Sequence, residues 1–94
     1  MAATYRAAPR ATLLIEPLDT LTAVYHRASG QTHLLAAPAP ELIEVLDQNI
    51  LTLEEIMAAL AARFELGGAD PQALAARLDE LVAVALVERQ TARS

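Results

Sequence analysis

The stretch Leu21–Leu35, LTAVYHRASGQTHLL, decides the fold. Two runs of strand-forming residues flank Ser29-Gly30, and Gly30 can take the positive φ that hairpin loops need. Successive side chains of a strand point to opposite faces. Leu21, Ala23 and Tyr25 therefore share one face, and Thr22, Val24 and His26 share the other. Gln31–Ala36 returns as the partner strand, with Thr32, Leu34 and Ala36 alternating against Gln31, His33 and Leu35. The stretch predicts a β-hairpin on which the rest of the chain can pack.

On the N-terminal side, TLLIE (residues 12–16) suits a short strand, and Pro17 ends it or puts it at a sheet edge. Leu18-Asp19-Thr20 turns into the hairpin. Residues 1–11 are small, polar or basic with Pro9, and are expected to be a flexible arm.

On the C-terminal side, Ala37-Pro38-Ala39-Pro40 breaks the sheet. Pro40 suits a helix start, and Glu41 suits its positive end. The first helix is predicted over 40–47, with Leu42, Val45 and Leu46 as its apolar arc and Ile43 at the margin. Gln48–Leu51 is a connector, where Asn49 could take the left-handed position that ends a helix. Thr52 with Glu55 forms a capping box, and the second helix follows over 53–65. Its stripe is Leu53, Ile56, Met57, Leu60 and Phe64. Gly67-Gly68 ends it. Asp70-Pro71 restarts a third helix, over 71–86, with an N-cap and a proline at N1. Its apolar arc holds Leu74, Ala75, Leu78, Leu81, Val82, Ala85 and Leu86, wider than one core contact needs. Part of such an arc can be exposed apolar surface that marks a binding site.

The predicted class is α+β: a three-stranded antiparallel sheet followed by a three-helix bundle, the order of a winged helix-turn-helix. Ninety-four residues allow one domain, expected over 12–88, with flexible ends at 1–11 and 89–94. The absence of cysteine removes disulfides and thiolate sites and fits a reducing cytoplasm. No apolar run is long enough to span a membrane, and the start lacks a signal-peptide h-region.

All twelve acids lie between Glu16 and Glu88, and only Arg27, Arg63 and Arg77 lie well inside that span. An acidic body repels phosphate backbones and argues against nucleic acid as the main partner. The third helix, the recognition helix of a winged fold, offers Arg77 against Asp70, Asp79 and Glu80.

Catalytic candidates are weak. His26 and His33 pair directly if the loop is Ser29-Gly30, and face opposite sides if it is Ala28-Ser29-Gly30. Zinc needs a third and usually a fourth ligand, and no spacing supplies them. Ser29 has no nucleophile-elbow context. Glu54-Glu55 opens a helix, where carboxylates favour the macrodipole. Gly67-Gly68 has no phosphate-loop pattern. The expectation is no catalytic residue, no metal and no cofactor.

LDTLTAVYHRASGQTHLL (Leu18–Leu35), PELIEVL (Pro40–Leu46), LTLEEIMAALAARFE (Leu51–Glu65) and ARLDELVAVALVE (Ala76–Glu88) together resemble the PqqD-like peptide chaperones, or RiPP recognition elements. Within that family the likeness is to the small PqqD-type proteins of kinase-like, HPr-related systems. Asp47 is followed by Gln48-Asn49 where the family commonly carries Asp-Gly.

The resemblance implies a non-enzymatic adaptor. A precursor or leader peptide adds as a strand between the third strand and the third helix, and is presented to a peptide-modifying or kinase-like enzyme encoded nearby. Carried over, the site is Gln31, Thr32, His33, Leu34, Leu35 and Ala36 on the strand, with Ala75, Leu78, Val82 and Leu86 on the helix. The Leu81–Val84 side is the alternative helix wall. The competing reading is an interaction module that forms a homodimer through the same strand edge; a winged-helix DNA-binding regulator ranks behind it.

Overall fold

The computed structural model describes residues 3–64 and 70–91. Its strands are β1 (Ala3–Ala7), β2 (Leu13–Pro17), β3 (Thr22–His26), β4 (Gln31–Leu35), β5 (Leu51–Thr52) and β6 (Val87–Thr91). Its helices are α1 (Ala39–Val45), α2 (Leu53–Phe64) and α3 (Pro71–Ala83). The α+β expectation holds. The antiparallel sheet β2-β3-β4 precedes the three helices, and the hairpin β3–β4 sits where the sequence places it.

The hairpin register sets His26 opposite Gln31 and Val24 opposite His33. The loop is therefore Arg27–Gly30, longer than either sequence alternative. Gly30 takes φ 73°, and its N–H donates to the His26 carbonyl at 2.8 Å. His26 and His33 are neither directly paired nor on opposite faces. They lie diagonally on one face, because two residues separate them from exact opposition in the register.

One face of this sheet packs on the helices. Leu13, Val24 and His26 are buried there, and Ile15 and Leu35 pack against the core. In α1, Leu42, Ile43 and Val45 are buried, as is Leu46 at its C-cap. Ile56 and Leu60 of α2 and Leu74, Leu78 and Leu81 of α3 complete the helical side.

The expected capping chemistry is present. The Thr52 N–H donates to Glu55 Oε1 (2.8 Å), and the Glu55 N–H donates to Thr52 Oγ1 (3.3 Å). Asp70 accepts from the Gln72 N–H at 3.1 Å, with Pro71 behind it at N1. After α1, Gln48 rather than Asn49 takes the left-handed conformation, with φ 63°. The Asn49 side chain instead donates to the Val45 carbonyl at 3.0 Å. Glu65 and the glycine stop at Gly67-Gly68 lie outside the described residues.

Two further expectations need correction. The helix predicted to 86 stops at Ala83, because Ala85 has φ 64°. The Ala85 N–H donates to the Val82 carbonyl and the Leu86 N–H to the Leu81 carbonyl, each at 3.0 Å. This is a Schellman motif with alanine where glycine is usual.

The ends also differ from the expected arm and tail. Residues 3–7 pair with 87–91 over the full length of both strands, from Ala3 opposite Thr91 to Ala7 opposite Val87. β5 pairs on the other side of β1, giving a second sheet in the order β5-β1-β6. Burial of Tyr5 and Val87 anchors it to the core. Single buried side chains carry each strand, so neither shows an apolar period.

Candidate functional site

Residues that exchange both main-chain hydrogen bonds alternate, in an antiparallel pair, with residues that exchange none. The Leu18 N–H donates to the Leu21 carbonyl (2.7 Å), and the Arg27 N–H donates to the Thr12 carbonyl (2.8 Å). With the β2–β3 register, these bonds turn the main-chain groups of Ala23 and Tyr25 toward β2. Those of Thr22, Val24 and His26 are left for β4, where they meet Leu35, His33 and Gln31. Thr32 and Leu34 therefore direct their N–H and C=O groups away from β3. No strand neighbours β4 on that side among the described residues. The Ala36 carbonyl beyond them is occupied, accepting from the Ala39 N–H at 3.0 Å.

A groove of about 550 Å³ runs along this edge. On the strand side it is bordered by Thr32–Ala36, continuing to Ala37 and Ala39. Its far wall is Arg77, Glu80, Leu81 and Val84. Arg77, Glu80 and Leu81 put one stripe of α3 opposite β4, and the C-cap residue Val84 extends it. The Arg77 guanidinium donates to both Glu80 oxygens, at 3.0 and 2.8 Å. The pair is exposed and close to neutral, so it is a polar rim with little influence on stability.

Four of the sequence-predicted helix residues sit elsewhere. Leu78 and Leu86 are fully buried in the core. Ala75 and Val82 are half-buried and do not border the groove. The wall is the Leu81–Val84 margin. A wide apolar arc says that the helix is buried, but not which margin the strand lies against. Leu86 left the arc because the chain turns at Ala85. On the strand, Thr32, His33, Leu34, Leu35 and Ala36 all border the groove; Gln31, at the hairpin end, does not.

His33 is the one ring in the groove. Its Nε2 is buried and has no hydrogen-bond partner among the described residues. His26 is held differently, with Nδ1 3.0 Å from Ser29 Oγ. Among the described residues no three His, Asp or Glu side chains converge as a metal site.

The opposite face of the sheet is unusual. Across its strands, Leu14, Tyr25 and Thr32 form one row, and Glu16, Ala23 and Leu34 form the next. Leu14 is 54% exposed and Leu34 61%.

A second concavity, of about 540 Å³, lies between the β1–β2 connection and the end of α1. Its two arginines already have partners: Arg6 pairs with Glu88 (3.2 Å) and Arg10 with Asp47 (3.8 Å). It offers no uncompensated charge to a ligand. No described helix is long and apolar enough to cross a membrane.

No protein-family model and no curated protein matches the chain. Among solved structures it is similar to TbiB1, determined in complex with the TbiA(beta) leader peptide, at 20% sequence identity and a TM-score of 0.64. The superposition covers 94% of this chain and 99% of that one, so the two share one fold from end to end.

Proposed function

We propose that this protein is a non-enzymatic peptide-binding adaptor. It captures an extended precursor or leader peptide along β4 and presents it to a peptide-modifying or kinase-like enzyme. The observation that carries the reading is the outward set of main-chain groups at Thr32 and Leu34, beside a groove walled by Leu81 and Val84. An open strand edge binds any extended backbone, and the flanking pocket chooses the side chains. The shared fold with a leader-peptide complex supports the same assignment.

Magnitudes show why both parts are needed. Thr32 and Leu34 offer four main-chain groups, each worth about 0.5–1.5 kcal/mol net. Association costs about 4 kcal/mol or more. The edge alone therefore gives weak binding. Burial of two apolar side chains in the groove adds about 1.5–3 kcal/mol each, which brings the sum into the millimolar to micromolar range. The net charge of −5 favours basic or neutral peptides.

The test is a backbone amide NMR titration with whatever short precursor-like peptide the neighbouring genes encode. The Thr32 and Leu34 N–H signals move and become protected from exchange as the peptide binds. Unchanged signals at saturating peptide refute the reading. Sedimentation in the same series separates capture from self-pairing, since a dimer through this edge persists when the peptide is added.

A further inference from the structure

We infer that Leu34, which also borders the groove, is a specificity-determining residue that reads a bound peptide on the outer face of the sheet. The inference rests on the strand-addition reading above. Pleating fixes which peptide side chains go where. A residue opposite His33 or Leu35 points inward, toward Leu81 and Val84. A residue opposite Leu34 points outward, beside Leu34 itself.

An outward position at a sheet edge is ordinarily polar on both strands. Here Leu34 is 61% exposed and stands in register with Ala23, with Leu14 and Tyr25 in the adjoining row. Leu14, Tyr25, Ala23 and Leu34 make a diagonal apolar strip across the face, flanked by Glu16 and Thr32, and Leu34 is its end at the edge where the new strand docks. Its occupant is the peptide's own outward side chain, for two reasons. Direct cross-strand neighbours are the closest contacts on a sheet face. The strip is also narrow, since only three short strands contribute to it. A second copy of the chain laid face to face on so small a patch falls below the roughly 1,000 Å² of a stable interface.

The preferred ligand is therefore an extended peptide with three consecutive apolar residues, facing Leu35, Leu34 and His33 in turn. Groove reading alone would select apolar residues two apart and leave the middle one free. The middle residue carries the new prediction.

The experiment is selection of a displayed library of random nine-residue peptides on the full chain, on Leu34→Thr and on Leu34→Lys. Leu34→Thr keeps strand propensity and guards against a folding defect. On the natural chain the enriched peptides carry the uninterrupted apolar triplet. On both variants the middle position loses its apolar preference while the outer two keep theirs. In isolated peptides, replacing the middle residue by serine weakens binding to the natural chain about two- to fivefold and leaves binding to Leu34→Thr unchanged. A free middle position on the natural chain, or one indifferent to residue 34, overturns the role of Leu34 and leaves strand addition standing. Enrichment with no apolar residues two apart overturns strand addition itself, and this inference with it.

Discussion

Thr32 and Tyr25 stand opposite one another in the hairpin, yet neither spends a main-chain hydrogen bond on the other. Tyr25 gives its groups to Leu14 on β2, and Thr32 holds its own toward the open edge. His33, one residue on, is bonded to Val24. Adjacent positions thus have opposite duties, and proline tells them apart. Thr32→Pro removes only an outward N–H and costs about 1 kcal/mol of stability, as edge prolines do. His33→Pro removes a ladder bond and costs about 3 kcal/mol. Urea denaturation measures both. Peptide binding is lost in the folded Thr32→Pro protein, and a Thr32→Pro variant that binds normally contradicts the edge assignment.

The groove wall is assigned to one margin of α3. A carboxylate at Leu81 or Val84 meets the bound peptide and weakens binding at least tenfold. Val84→Glu is the cleaner variant, since Val84 is only half-buried and Leu81 belongs to the core. Ala75→Glu lies off the groove and leaves affinity within about twofold. Fluorescence anisotropy on the purified variants reads the contrast. Equal losses at 75 and 84 would place the peptide somewhere else.

Tyr5 is 7% exposed on a strand that has no other buried side chain. Tyr5→Ala costs about 3–5 kcal/mol, the range for a large aromatic truncated in a core. Tyr5→Phe keeps the ring and most of the stability. Thermal or urea unfolding of the pair tests whether β1 is integral. A small cost for Tyr5→Ala would return residues 3–7 to the status of an arm.

Ala85 is exposed and sits at φ 64°, a conformation that costs an L-residue roughly 1–2 kcal/mol. Glycine removes that strain and gives back part of the gain through its freer unfolded chain. Ala85→Gly therefore raises stability by about 0.5–1 kcal/mol without changing peptide affinity. A lower unfolding midpoint would show that the Schellman turn is not held as described.

Local chemistry made much of this fold legible. The hairpin was readable from alternation and Gly30, α2 from its stripe and capping box, and α3 from Asp70-Pro71. These signals lie within a few residues of the structure they specify. The second sheet has no such signal. ATYRA and VERQT each bury one residue, and their pairing is written only in each other, eighty or more positions away. The strand half of the candidate site came from the family resemblance, and of its residues Thr32–Ala36 border the groove while Gln31 does not. The helix half was legible only as a choice between margins. The choice turns on how α3 is rotated over the sheet, and buried Leu74, Leu78 and Leu81 set that rotation jointly with α1 and α2.

The pairing of β1 with β6 has a consequence for folding. β1 and β6 are eighty or more positions apart, so Tyr5 waits for a distant partner before its sheet can close. Closing so large a loop is slow compared with forming the hairpin or the helices. A chain cut before Val87 would leave the Tyr5 strand without β6 and exposed to other chains. Early hairpin assembly and late closure make the β1–β6 pairing the step that commits the domain to its folded state.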